Sequence, residues 1–189
     1  SPGAAGQVGT MNLVGDLAWS DLGEFRVHVD SGEADLAMIE GAAGLSGTLV
    51  LEQMPGARYV LGTTYSILTA ETIASRFSPI TGTDAGDGFG FVPIYDPHEV
   101  LVRVSLAGDA DLDDHVSFAD FLTLQANYLK PVVQHADGDF NGDGLVSLLD
   151  FTLLQTNFGR TADGFNAPTP EESAALAAFA ASVPEPQAL

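Results

Sequence analysis

The chain has 189 residues, with 26 acidic side chains against 6 basic ones and a formal net charge of −20. So few Lys and Arg exclude a nucleic-acid-binding role, because affinity for a phosphate backbone comes from those residues, and they disfavour anionic membrane surfaces for the same reason. The absence of cysteine excludes disulfides, thiolate metal sites and cysteine nucleophiles, which leaves cations as the natural partners.

A hydrophobic content of 46% supports a real core. No run of about 18 apolar residues occurs, so no membrane insertion is expected in this form. The start, Ser1-Pro2-Gly3, lacks a basic, apolar, small-residue leader, so a processed or trimmed form is expected. Three zones follow in order. Residues 1–106 are rich in Gly and Thr with short apolar runs, residues 107–160 hold an internal repeat, and residues 161–189 form a tail of Ala, Pro and Glu.

In the first zone the apolar runs predict strands at 11–14, 24–29, 36–39, 48–51, 65–68, 89–94 and 100–106. Phe25-Arg26-Val27-His28-Val29 and Leu101-Val102-Arg103-Val104 alternate apolar with polar, the period of a half-buried strand. Gly, Asp, Asn and Pro fall between the runs, where turns need them. Residues 69–76 read as a short helix or a loop. Gly9-Thr10-Met11-Asn12-Leu13 and Gly47-Thr48-Leu49-Val50-Leu51 echo each other, and residues 35–39 with 41–45 add a rung-like unit, which suggests coils stacked on one another. The expected fold is a mainly β N-terminal region, either a short β-solenoid or a small β-sandwich, followed by a small α-helical module.

The stretches Leu45-Ser46-Gly47-Thr48-Leu49, Tyr65-Ser66-Ile67-Leu68-Thr69-Ala70, Phe77 and Val100-Leu101-Val102-Arg103-Val104 resemble the last coils of bacterial surface β-helices with autotransporter-associated, passenger-like repeats. This resemblance spans about half of the chain. It implies a stalk or surface domain rather than an active site.

In the second zone, residues 108–129 align without gaps on 138–159 at a constant offset of 30, and ten of the twenty-two positions are identical. Calcium takes about six to eight hard oxygens at about 2.3–2.6 Å, and a tight loop of about twelve residues supplies them from positions one, three, five, seven, nine and twelve. In residues 109–120 these positions are Asp109, Asp111, Asp113, the carbonyl of His115, Ser117 and Asp120. In residues 139–150 they are Asp139, Asn141, Asp143, the carbonyl of Leu145, Ser147 and Asp150. Two calcium ions are therefore the expected cofactor. Gly144 stands at position six, where the loop turns sharply. Asp114 replaces it in the first loop and tolerates left-handed backbone only at a cost, so a weaker first site is expected. Val146 at position eight should pair with its counterpart across the two loops, and position twelve should open a helix.

The apolar residues Phe118, Phe121, Leu122, Leu124 and Tyr128, then Phe151, Leu153, Leu154 and Phe158, follow at helical spacing. No helix is expected before either loop, because residues 101–106 read as a strand and Pro131-Val132-Val133 breaks the chain before the second. Such a half-hand pair, with Asp rather than Glu at position twelve, resembles a dockerin over residues 107–160. That resemblance implies a two-calcium module that docks on a cohesin domain and reads it with positions ten and eleven. Here those are Phe118-Ala119 and Leu148-Leu149, a departure from the Ser/Thr pair of the cellulosomal type I modules, so a neighbouring domain or another copy of the chain is an equal candidate.

In the tail, residues 169–181 predict a helix capped by Thr169, with Pro170 in its first turn and Glu171 and Glu172 favouring its start. Val183-Pro184-Glu185-Pro186 resembles the start of a PEP-type C-terminal sorting signal, which implies export and processing by an exosortase-like system. His28, His98, His115 and His135 are scattered and read as ordinary surface or strand residues. No Gly-x-Ser-x-Gly elbow occurs, and Gly86-Asp87-Gly88-Phe89-Gly90 lacks the Lys of a phosphate loop. Trp19 with Tyr59, Tyr65 or Tyr95 reads as core packing before it reads as a sugar platform. The combined expectation is no enzyme but a secreted, calcium-stabilised bacterial cell-surface structural protein, self-assembling or bound to another surface protein. Anchoring to a cohesin-like partner is the alternative, and a glycan-acting enzyme ranks last.

Overall fold

The computed structural model describes residues 2–3, 7–132 and 134–183. An N-terminal β-rich region is followed by a C-terminal region with three helices. In a first pass the chain lays down β1 (Thr10–Leu13), β2 (Leu17–Ala18) and β3 (Glu24–Val29). A second pass makes β4 (Leu36–Ile39), β5 (Ala42–Gly44) and β6 (Thr48–Gln53), and a third makes β7 (Thr64–Thr69), β8 (Thr72–Ile73) and β9 (Ile80–Thr81). Each strand pairs in parallel with the one three places later: β1–β4–β7, β2–β5–β8 and β3–β6–β9.

The chain then turns antiparallel. β10 (Asp84–Gly86), β11 (Phe89–Tyr95) and β12 (Glu99–Leu106) extend the first ladder into a six-stranded mixed sheet in the order β1-β4-β7-β12-β11-β10. The seven strands read from the sequence lie within two residues of their predicted bounds. Residues 69–76, open between helix and loop in the sequence, hold the end of β7, then β8 and irregular chain.

Alternation explains which faces are buried. In β3, Phe25, Val27 and Val29 are buried while Glu24 and Arg26 are exposed, and in β12 Val100, Val102, Val104 and Leu106 turn inward. Phe25 stacks on Phe77 at 5.5 Å between ring centroids, and Trp19 meets Phe77 edge-on at 5.6 Å, so Trp19 belongs to the core cluster. His28 is a strand residue of β3, and it is buried. Its Nδ1 lies 2.8 Å from Asp35 Oδ2 and its Nε2 3.2 Å from Glu52 Oε2, tying the first pass to the second.

A second core follows β12. It joins α1 (Phe118–Asn127), α2 (Leu148–Asn157) and α3 (Pro170–Ser182), with a 3-10 turn at His135–Asp137 and a small hairpin of β13 (Arg160–Thr161) and β14 (Gly164–Phe165). The tail helix starts as its sequence indicates. Thr169 is the N-cap, Pro170 opens the first turn, and Glu172 closes a capping box through Thr169 N at 2.8 Å. Its Phe179 meets Tyr128 and Phe151 at 5.0 Å and Phe121 at 5.5 Å, so this helix lids the other two. Leu122, assigned to the apolar face by spacing, is 48% exposed instead, because α3 covers only one side of α1. Pro184 to Leu189, which carry the resemblance to a sorting signal beyond Val183, lie outside the described residues, as does Val133. Among the described residues no helix is long and apolar enough to cross a membrane.

Candidate metal centre

Each loop leads directly into a helix. Ser117 and Ser147, at position nine, are the N-caps of α1 and α2, and their Oγ atoms accept from Ala119 N and Leu149 N, both at 3.1 Å. Asp120 and Asp150 are therefore the third helical residues, not the first, because the helix starts at position ten. Each closes a capping box, which holds its carboxylate rigidly. Asp120 Oδ2 accepts from Ser117 N at 2.7 Å and Oδ1 from Ala110 N at 2.7 Å. Asp150 Oδ2 accepts from Ser147 N at 2.9 Å, and Oδ1 from Phe140 N and Asn141 N at 2.8 and 3.1 Å.

The position-one carboxylates are held in the same way. Asp139 Oδ1 accepts from Gly142 N at 2.8 Å and Oδ2 from Gly144 N at 3.0 Å. Asp109 Oδ2 accepts from Asp114 N at 3.0 Å and also from Ser105 Oγ of β12 at 3.1 Å. Asp113 and Asp143, more exposed, accept from His115 N and Leu145 N at 2.9 Å. The carbonyls of His115 and Leu145 accept no hydrogen bond among the described residues, so each is left to a ligand or solvent.

Four carboxylates are almost fully buried here: Asp109 at 0%, Asp120 at 1%, Asp139 at 5% and Asp150 at 0% exposure. Among the described residues their only partners are N–H and O–H groups. Arg103 pairs with Asp114 at 2.8 Å, and the other ion pairs lie in the first two passes of the β region. Burial pushes Asp109 and Asp139 up to about 6, against the lowering effect of their hydrogen bonds, with Asp120 and Asp150 adding repulsion. Burial raises Asp120 and Asp150 as well. A buried charge without a counter-charge is costly, so this donor set fits a hard cation, and its all-oxygen chemistry suits calcium.

The two loops are not equal. Carboxylate oxygens of Asp109, Asp111 and Asp120 lie within 4.8 Å of one another. In the second loop the counterpart of Asp111 is Asn141, whose Nδ2 donates to Asp143 Oδ2 at 2.9 Å. The first loop thus gathers more charge, while the second has the more relaxed backbone. Leu112, Asp114 and Leu129 take positive φ of 60°, 66° and 61°, and their counterparts are Gly142, Gly144 and Gly159. Asp114 was legible in the sequence as a compromise. Leu112 and Leu129 were not, although each stands opposite a glycine in the repeat.

At position eight both valines turn inward into the same core, and their backbone groups bond to other segments rather than to each other. Val116 N donates to Arg160 O at 2.9 Å and Val116 O accepts from Gly159 N at 2.8 Å. Val146 N donates to Lys130 O at 3.3 Å and Val146 O accepts from Leu129 N at 2.8 Å. Each loop is framed by the segment that follows the other loop's helix, in a reciprocal exchange. Gly108 and Gly138, just before the loops, serve the same exchange. A Cβ on Gly108 would lie 2.7 Å from Leu154 Cα of α2, and one on Gly138 would lie 2.9 Å from Leu124 Cα of α1.

Sequence reasoning also missed the supports from outside the repeat: Ser105, Arg103 and His135. His135 is half-buried, its ring edge-on to Phe140 at 5.0 Å. Burial lowers its imidazole to about 4, so the ring is neutral and its Nε2–H donates to the Asp109 carbonyl at 2.7 Å.

Neither a protein-family model nor a curated protein matches the chain. The functional reading therefore rests on the geometry of the loops and on the resemblances carried by the residues quoted above.

Proposed function

We propose that this chain is a secreted bacterial cell-surface structural protein, in which a short β-solenoid carries a dockerin-like module stiffened by two calcium ions. The solenoid reading is supported by the parallel pairing of each of β1 to β6 with the strand three places later, the pattern of stacked coils. The observation that carries the calcium reading is the pair of loops in which position-one and position-twelve carboxylates are buried with no ion-pair partner among the described residues. When bound, calcium supplies the missing positive charge. The chain's own part is to hold Asp109, Asp120, Asp139 and Asp150 in place through backbone N–H groups and the two capping boxes. That is a stabilising role: excess ion at about 100 times its Kd adds about 2.7 kcal/mol per site.

Calorimetric titration of calcium into stripped protein tests this reading. Two ions per chain are expected, with Asp120→Asn and Asp150→Asn each removing one. Absence of binding heat refutes it. Self-assembly is tested by size-exclusion chromatography and electron microscopy with and without calcium, and a monomer under both conditions counts against it.

A second reading, an anchor for a cohesin-like partner, is favoured by one observation. Leu149 on α2 is 64% exposed and Leu122 on α1 48%, which leaves apolar side chains on the module's outer face. Pull-down with a panel of cohesin domains separates the two readings.

A further inference from the structure

The three parallel ladders end differently. β7 is covered by β12, and β8 by the Pro97 carbonyl, which accepts from Ile73 N at 2.7 Å. β9 pairs with β6 on one side, and its Ile80 N donates at 2.9 Å to the carbonyl of Gly142, a residue of the second loop. Thr83 Oγ1 donates to the neighbouring carbonyl, that of Asn141, at 3.1 Å.

These two residues face both ways. Asn141 N donates to Asp150 Oδ1 at 3.1 Å while its carbonyl holds Thr83. Gly142 N donates to Asp139 Oδ1 at 2.8 Å while its carbonyl holds Ile80. Two consecutive residues thus join the buried carboxylates to β9, the last strand of its parallel ladder, and to Thr83 just beyond it. The fit is close. Gly142 has φ +77°, and a Cβ there would lie 2.8 Å from Ile80 O. The first loop touches the β region through other groups, Ser105 Oγ and the Arg103 guanidinium, both on a strand already paired on its two sides.

We infer that the second loop is a cation-set latch on the open edge of β9. With calcium held between Asp139 and Asp150, the Asn141–Gly142 segment is fixed where its carbonyls cover Ile80 and Thr83. Without the ion, the two carboxylates repel, the segment loosens, and β9 presents an unpaired edge, the feature through which sheets associate. The latch rests on the calcium reading proposed above. It adds that the two loops have different tasks, the second alone controlling exposure of the β region.

Hydrogen exchange of the Ile80 amide, followed by mass spectrometry or NMR on the whole chain, tests it. In calcium the amide exchanges slowly. Stripping the ion speeds it at least tenfold, while the amides of β3 and β6 keep their protection and so exclude global unfolding. Asp150→Asn in calcium reproduces the fast exchange at Ile80, and Asp120→Asn does not. Thr83→Val, which removes the hydroxyl that donates to the Asn141 carbonyl and changes no loop residue, gives faster Ile80 exchange in calcium with the binding heat retained. Binding heat with Ile80 exchange unchanged on stripping overturns the latch alone. Absence of binding heat overturns the calcium reading and the latch with it. Loss of β3 and β6 protection together with Ile80 also overturns the latch, since the loop would then hold the whole fold rather than one edge.

Discussion

The reciprocal exchange predicts a specific cost for one added methyl group. In Gly108→Ala the new Cβ would sit 2.7 Å from Leu154 Cα, backbone of a helix rather than the tip of a flexible side chain. Residue 108 also has φ +105°, a conformation that L-residues avoid at a cost of about 1–2 kcal/mol. Relieving the overlap requires α2 to move off the first loop, and overpacking of this kind costs about 1–3 kcal/mol more. A loss of roughly 2–5 kcal/mol is expected from the two effects together. Gly56→Ala is the matched control, because Gly56 has φ +84° with nothing within 4 Å of its would-be Cβ. That variant carries backbone strain alone, about 1 kcal/mol. Urea denaturation of wild type and both variants in saturating calcium measures the difference. Equal destabilisation of Gly108→Ala and Gly56→Ala would refute the claim that the glycine before the loop exists to let the opposite helix approach.

Three further outcomes follow from the same geometry. In calcium-stripped protein Asp109 and Asp139 are held up to about 6, above the ordinary 3.8, so their contribution to stability is complete below about 3.8 and lost as pH rises through about 6. The melting temperature of stripped protein should therefore fall from pH 4 to pH 7, while that of calcium-saturated protein, which needs the ionised carboxylates, should rise; a stripped midpoint that climbs over this range contradicts the assignment. Leu129→Gly should stabilise by about 1 kcal/mol in chemical denaturation, since Leu129 is strained at φ +61° and, at 63% exposure, buries little. Phe179→Ala should cost about 3–5 kcal/mol and expose α3 to limited proteolysis, because this ring is what α3 inserts between Phe121, Tyr128 and Phe151.

The parts of this structure legible in the sequence are those written in local chemistry. Strands such as β3 and β12 show their inner face by alternation. The tail helix announces its cap through Thr169, Pro170 and Glu172. The twelve loop positions stand out because oxygen ligands recur at fixed spacing and a repeat of 30 residues doubles the signal. β2, β8, β9 and β10 were hidden, since two or three residues cannot carry a period. The framing of Val116 by Gly159 and Arg160 was hidden for a different reason. Its partners lie more than forty residues away, and nothing in the loop itself distinguishes that arrangement from pairing between the two valines. His135 was hidden because its environment is made by Phe140 and the carbonyl of Asp109, the latter twenty-six residues away in sequence.

The exchange between the two halves of the repeat has a consequence for how the two loops are coupled. Residues 159–160 are set by the helix that the second loop begins, yet they frame the first loop, while residues 129–130 do the converse. Ordering either loop therefore arranges part of the other before any ion arrives there. A second ion meets a site whose conformational entropy has already been lost, the condition for positive cooperativity. On the calcium reading proposed above, the two ions would bind more steeply than at two independent sites, with a Hill coefficient between one and the number of sites.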